Sequence, residues 1–226
     1  MRQRNIKNLQ EKLDMNSSFL IENPKELKGR WHAVFGNDNP ICLEIGCGKG
    51  RFITSRAMDH PEQNYIAIEG QSNVVLRALQ KAEENSIANL RIFITYVSDL
   101  KEYFDAGELS TVYLNFSDPW PKARHAKRRL TYRDRLKNYK EVLSPGGFIE
   151  FKTDNDGLFD FTLGEIEAVG YRVVEMTRDL HGEMSDEMFI ELSGDMSAFA
   201  ADAAAYLTEY EEKFMVLGKN INYVRF

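Results

Sequence analysis

The chain has 226 residues, of which 43% are hydrophobic and 28% charged; that is enough apolar material for one large core and excludes a disordered tail. No stretch is long and charge-free enough to span a bilayer, and the basic N-terminal positions Arg2, Arg4, Lys7 and Lys12 precede no secretory apolar run, so the expected location is the cytoplasm. The net charge of -6 counts, as a sum, against a polyanionic partner, and Cys42 and Cys47 match neither CxxC nor a zinc spacing and read as packing residues.

In chain order, residues 1–39 read as a basic arm with a lead-in helix, and residues 40–226 as one domain. An apolar run at 40–46 ends in glycine-rich sequence and hands over to a helix from 51 to 58. A strand at 64–69, a helix at 71–85 with Val74, Val75, Ala78, Leu79 and Ala82 as its apolar positions, and a strand at 90–96 repeat the alternation. A strand at 111–116, a helix at 132–143, the turn Ser144-Pro145-Gly146 and a strand at 147–152 come next. A helix at 158–169 stops at Gly170, residues 171–180 and 221–226 read as closing strands, and the alanine-rich 198–205 as helical. Such alternation predicts an α/β domain with a mostly parallel sheet, whose ligands sit beyond the carboxyl ends of the strands.

The first motif, Leu43-Glu44-Ile45-Gly46-Cys47-Gly48-Lys49-Gly50, falls where the first strand meets the first helix. Glycines there permit positive φ and close approach of a ligand to the backbone, beside a helix N-terminus. The spacing is GxGxG, with Arg51 where a dinucleotide fingerprint or P-loop needs other residues, so an adenosylmethionine loop fits better. Taken alone, Gly46, Gly48 and Gly50 are also compatible with a plain structural turn. Glu69, about 20 residues on at the tip of the second strand, favours a nucleoside cofactor, since an acid there accepts from ribose hydroxyls. Glu44 would then face the ligand's ammonium end.

The second motif, residues 113–122, begins as a buried strand and breaks at Pro119 and Pro121, placing Asp118, Trp120 and Lys122 at the mouth of the same cleft. The bland alternative has Asp118 capping a turn and Trp120 filling core. A basic run follows directly: Lys122, Arg124, Lys127, Arg128, Arg129, Arg133 and Arg135 against the single acid Asp134, with His125 among them. Positive charge of that density beside a cofactor cleft in an acidic protein favours RNA over a merely solvated helix face.

With these segments in view, LEIGCGKG, YLNFSDPWPKARHAKRRLT, GFIEFKTDN and TEYEEKF together resemble the bacterial tRNA (guanine-N7-)-methyltransferase family over nearly the whole chain. The stretch 113–131 is the most specific part; LEIGCGKG alone gives only the cofactor class. The resemblance implies an α/β, Rossmann-like class I S-adenosylmethionine-dependent methyltransferase with a mostly parallel seven-stranded sheet and helices on both faces. It implies S-adenosyl-L-methionine held by Glu44, Gly46, Gly48, Gly50, Glu69, Tyr96 and Asp118, with Asp118 also catalytic. Lys122, Asp154, Thr208, Glu209, Tyr210 and Glu211 would meet the guanosine or its surroundings. Lys122, Arg124, Lys127, Arg128 and Arg129 would hold tRNA phosphates, with Trp120 or Tyr210 available to stack on a base. The implied target is a guanosine of the tRNA variable loop, and the chain would work as a monomer or homodimer. His32, His60, His125 and His181 form no metal-spaced set, so no metal is expected.

Guanine N7 carries an in-plane lone pair and no hydrogen, so no strong general base is needed. Carboxylates would instead stabilise the developing ring charge or grip the N1 and N2 donors, tasks open between Asp118 and Asp154. A methyltransferase acting on another RNA, a protein or a small molecule would keep Glu44 and Glu69 but leave the basic run unexplained, and an RNA-binding module with a vestigial cofactor fold would leave the intact glycine loop unexplained. Two departures from the family stand out. Tyr96 replaces the usual acid that meets the adenine, so that either Tyr96 packs against the ring or Asp99 substitutes from the next turn. Residues 182–207 exceed the short loop of close relatives and read as a surface insertion, since loops tolerate length at small cost.

Overall fold

In the computed structural model, which describes residues 6–182 and 197–226, the run Ile41–Ile45 forms β1 and is buried at every position. That is the pattern of a parallel strand covered on both faces. Seven strands form one sheet: β1, β2 (Asn64–Glu69), β3 (Leu90–Ile94), β4 (Leu109–Asn115), β5 (Leu143–Thr153), β6 (Glu175–Thr177) and β7 (Asn222–Arg225), in the order β3-β2-β1-β4-β5-β7-β6. The first five are parallel; β7 runs antiparallel to both β5 and β6.

Eight α-helices complete the described chain: α1 (Leu9–Asp14), α2 (Trp31–Phe35), α3 (Arg51–Asp59), α4 (Ser72–Glu84), α5 (Arg133–Val142), α6 (Asp156–Val169), α7 (Ser197–Ala205) and α8 (Glu209–Val216). Alternation along each strand sends side chains to opposite faces. Ile41, Leu43, Ile45, Val112 and Leu114 meet α2, α5 and α6 on one face, while Cys42, Tyr65, Ala67 and Tyr113 meet α3 and α4 on the other. The lead-in segment packs onto the domain: Trp31 is fully buried, stacked between Phe93 and Phe104, and its Nε1 donates to the Tyr103 carbonyl at 2.9 Å.

Several elements differ from their sequence expectation. The strand expected at 171–180 shrinks to Glu175–Thr177 at the sheet edge. Strand β5 starts before the predicted turn: Leu109 pairs with Leu143 and Thr111 with Phe148, so residues 144–147 are extruded as a bulge. Gly147 is required there, because a Cβ would stand 2.9 Å from the Ser110 carbonyl oxygen. Helix α8, absent from the sequence reading, is set by a capping box in which Thr208 Oγ1 accepts from the Glu211 amide and the Glu211 carboxylate from the Thr208 amide. Of the extra segment 182–207, the stretch 183–196 lies outside the described residues, as do Arg2 and Arg4. The described remainder is no bland surface loop. Ala200 and Ala203 are buried, and Asp202 pairs with the nearly buried Arg56 at 2.8 Å.

Candidate active site

The carboxyl ends of β1, β2 and β4 meet at one rim of the sheet. After β1 the chain turns through Gly46, Gly48 and Gly50, all at positive φ (82°, 58° and 80°). A Cβ on Gly46 or Gly48 would meet nothing within 4 Å, whereas one on Gly50 would stand 2.5 Å from the Ala78 Cβ. The first two glycines therefore leave open space along the loop, and the third lets α3 lie against α4.

Glu69 ends β2 and closes over this loop. Its Oε2 accepts from the Gly48 amide at 3.0 Å and its Oε1 from the Gln71 amide at 3.0 Å. Glu44 is 2% exposed; its Oε1 accepts from Asn115 Nδ2 at 2.9 Å, and its Oε2 is buried with no partner among the described residues. Burial pushes the Glu44 carboxyl up to about 7; the Asn115 hydrogen bond and the charge of Lys152 oppose this, while Glu209 and Glu69 add to it. A buried carboxylate with one oxygen unmet among the described residues can take a cationic donor. The ammonium of S-adenosyl-L-methionine is such a group, and Glu69 beyond the open glycines suits its ribose.

Tyr96 leaves the sheet two residues after β3, and its ring lies across Gly70, where a Cβ would come within 2.2 Å of Cε1. It is 77% exposed, beside Glu69. Asp99 is engaged elsewhere, accepting from the Lys101 amide at 2.9 Å and from Asn138 Nδ2.

Beyond β4 the backbone takes positive φ at Phe116 (49°) and Trp120 (41°), the strained path that turns Asp118 outward between them. Asp118 is exposed, with no hydrogen-bond partner among the described residues. The predicted basic residues then divide. Lys122, Arg124, Lys127 and Arg128 are exposed and pair with no carboxylate among the described residues, although Arg128 lies 4.8 Å over the Trp120 ring. Arg129 turns inward, donating to the Pro119 and Trp120 carbonyls at 2.9 and 3.0 Å over the Phe161 ring, so it holds the loop. Arg133 grips Glu165 through two nitrogens, and Arg135 donates to the Val97 carbonyl.

Helix α8 packs against the start of this loop, Phe214 on Phe116. Thr208 is its cap. Glu209 pairs with Lys81 of α4 at 2.8 Å, and Glu212 pairs with Arg51 at the start of α3. Glu211 is fully buried, and its carboxylate meets Lys152, His181 and the Thr208 amide. Burial pushes its carboxyl up, yet His181 and Lys152 together hold it below the usual carboxylate range. Tyr210 is 60% exposed and stacks on Phe214, which stacks in turn on Phe116. Asp154 accepts from Lys219 at 3.0 Å.

Sequence reasoning missed Asn115, Lys152, and the Phe116 and Phe214 rings. The pattern Thr208-x-x-Glu211 was the available signal for the helix that brings Phe214 in; for Lys152 there was none beyond its being, with Glu150, a charge in an apolar strand.

A doubly wound sheet with a reversed β7, an open glycine loop after β1 and an acid ending β2 defines a Rossmann-like S-adenosylmethionine-dependent methyltransferase. Solved structures agree on the fold: an antibiotic-related methyltransferase superposes with TM-score 0.60 at 15% identity, covering 93% of this chain and 96% of its own. The 16S rRNA methyltransferase KamB gives 0.58 at 8% identity over 87% and 91%. The family model described as "putative methyltransferase" matches residues 38–223. A tRNA (guanine-N(7)-)-methyltransferase of Lactococcus lactis subsp. cremoris (strain MG1363) is 46% identical over 98% of this chain and 95% of that protein. One from Bacillus subtilis (strain 168) is 44% identical over 91% and 89%. The chain belongs to the tRNA (guanine-N(7)-)-methyltransferase family.

Proposed function

We propose that this chain transfers the methyl group of S-adenosyl-L-methionine to N7 of a guanine in tRNA, with a variable-loop guanosine as the target. The observation that carries the reading is the juxtaposition beyond β4. An outward Asp118, with no hydrogen-bond partner among the described residues, adjoins the rim that holds Glu44 and Glu69, and four exposed cations that pair with no carboxylate among the described residues, Lys122, Arg124, Lys127 and Arg128, follow within ten residues. That patch offers phosphate contacts despite the protein's net charge of -6.

When bound, S-adenosyl-L-methionine would supply an electrophilic methyl on a sulfonium; the guanine N7 lone pair takes it as the C–S bond breaks, the neutral thioether leaves and the positive charge passes to the purine. Glu44, through its unmet oxygen, binds the donor's ammonium, and Glu69 its ribose. Tyr96 packs against the adenine in place of an acid, since Asp99 already serves the Lys101 amide and Asn138. Asp118 and Asp154 act on the purine, stabilising its developing positive charge and holding its N1 and N2 donors. Tyr210, backed by Phe214 and Phe116, offers a face on which a base stacks. Thr208 and Glu209 line the same side; Glu211 acts from beneath by fixing the cap.

Methyl transfer from labelled S-adenosyl-L-methionine to unmodified tRNA transcripts, followed by chemical cleavage at 7-methylguanosine, tests this. Cleavage at a variable-loop guanosine is expected. Donor binding with no label in any tRNA would overturn the assignment of the acceptor.

A further inference from the structure

Lys152 stands on β5, two residues before Asp154, and is 1% exposed. Its ammonium donates to the carbonyls of Ala203 and Tyr206, both at 2.9 Å, and to the Glu211 carboxylate at 3.0 and 3.1 Å. It also lies 5.2 Å from the centre of the Phe52 ring on α3. An ammonium has three donors, and these acceptors use all of them. Burying such a pair is no economical way to attach a helix, because the desolvation of both ions offsets much of their attraction. Two surface pairs, Lys81–Glu209 and Arg51–Glu212, already tether α8 to α4 and α3.

What the surface pairs cannot give is a fixed link through the sheet. Lys152 is the register partner of Asn115 on β4, and Asn115 donates to Glu44 on β1. Glu44, whose own register partner is Tyr113, is thus joined diagonally to Asn115 and Lys152 near the carboxyl ends of three neighbouring strands, and the far end of Lys152 grips the acid that closes the Thr208–Glu211 capping box. Resting on the reading above, in which Glu44 holds the methyl donor and the cap faces the guanosine, we propose that Lys152 is a positioning residue for methyl transfer. It sets the guanosine-side cap against the donor-side strand ends. Lys152 touches neither substrate; through Glu211 and the strand register it fixes the separation between the two reacting partners. Misplacement of about 1 Å costs on the order of a hundredfold in rate, whereas tRNA affinity rests mainly on the exposed cations and should hardly register the loss.

The test is single-turnover methyl transfer with donor and tRNA both saturating, comparing wild type, Lys152→Met, Glu211→Gln and the double variant. The amplitude counts competently folded molecules and the rate constant reads geometry, so a purely structural role lowers the first and leaves the second. For Lys152→Met we expect a rate constant roughly a hundredfold lower, with tRNA affinity by filter binding within about threefold. The Glu211→Gln loss should be smaller and should not multiply with that of Lys152→Met, because the pair acts as one unit. A wild-type rate constant in Lys152→Met, or strictly multiplicative losses, overturns the proposal. Should Lys152→Met not fold, Glu211→Gln decides alone: a lowered rate constant at full amplitude supports the proposal, and an unchanged one overturns it. Absence of 7-methylguanosine in the wild-type reaction would instead overturn the reading of function on which this rests.

Discussion

Asn115 Nδ2 donates to Glu44 Oε1 at 2.9 Å, while the other carboxylate oxygen of Glu44, also inside the fold, receives nothing among the described residues. The carboxyl is pushed up to about 7 by burial, so it is largely protonated at pH 5.5 and largely ionised at pH 8. An ammonium needs the ionised form. Affinity for S-adenosyl-L-methionine should therefore strengthen from pH 5.5 to 7.5, by up to about tenfold per pH unit below the midpoint. The free protein should respond with the opposite sign. A carboxyl raised in the folded state binds more protons folded than unfolded between its two midpoints, so rising pH withdraws stability across about 4.5 to 7. Glu44→Gln should bind the donor weakly with a flatter pH dependence in calorimetry, and should lose less thermal stability across that window. A Gln variant as pH-dependent as wild type would show that another group titrates.

The glycine loop separates packing from binding. Gly50→Ala meets both a φ of 80° and an Ala78 Cβ at 2.5 Å, and should cost about 2–4 kcal/mol from left-handed strain and overpacking. That corresponds to a Tm lower by roughly 5–15 °C. Gly48→Ala meets only the backbone term, about 1–2 kcal/mol, because nothing lies within 4 Å of its Cβ. Its main effect should be weaker donor binding, as the added methyl occupies the open side of the loop. Thermal melts and donor calorimetry on both variants check the contrast; equal Tm losses would remove it.

The α/β alternation was legible because each parallel strand, buried on two faces, appears as a short apolar run between amphipathic helices. Glu44 and Glu69 could be singled out as candidates because each falls within the last two residues of such a run, and Asp118 because it lies in the proline-broken loop just after one. Lys152 was not, since its partner Glu211 lies 59 residues further on and only the fold brings them together. Arg128 and Arg129 are indistinguishable in the sequence, yet the short 3-10 helix from Ala123 to Arg128 leaves the first in solvent and the second beneath the loop. Helix α8 escaped notice because Glu209, Glu211, Glu212 and Lys213 obscure its apolar side, although its capping box is explicit.

Asp118 is the one carboxylate at the rim that the fold neither buries nor pairs among the described residues. A group stabilising charge that develops only in the transition state contributes to rate more than to ground-state binding. Asp118→Ala should lower the single-turnover rate constant by about 10²–10³ while changing donor affinity in calorimetry far less. Equal losses in rate and donor affinity would reduce Asp118 to a binding residue.

Neighbouring arginines provide the sharpest test of the RNA-facing surface. Arg128 is exposed and lies over the Trp120 ring, with no carboxylate partner among the described residues, so Arg128→Ala should remove a phosphate contact. The slope of log affinity for tRNA against log salt should then flatten by about 0.7–0.9, and the Lys127→Ala/Arg128→Ala double variant should flatten by about twice that. Arg129 spends its guanidinium on the Pro119 and Trp120 carbonyls. Arg129→Ala should therefore leave the slope nearly unchanged and instead slow methyl transfer, because the loop carrying Asp118 loses its inner brace. Salt titrations of tRNA binding alongside single-turnover rates distinguish the two residues. A slope that flattens equally in both single variants would mean that Arg129 leaves the loop to meet the RNA, and that the brace yields on binding.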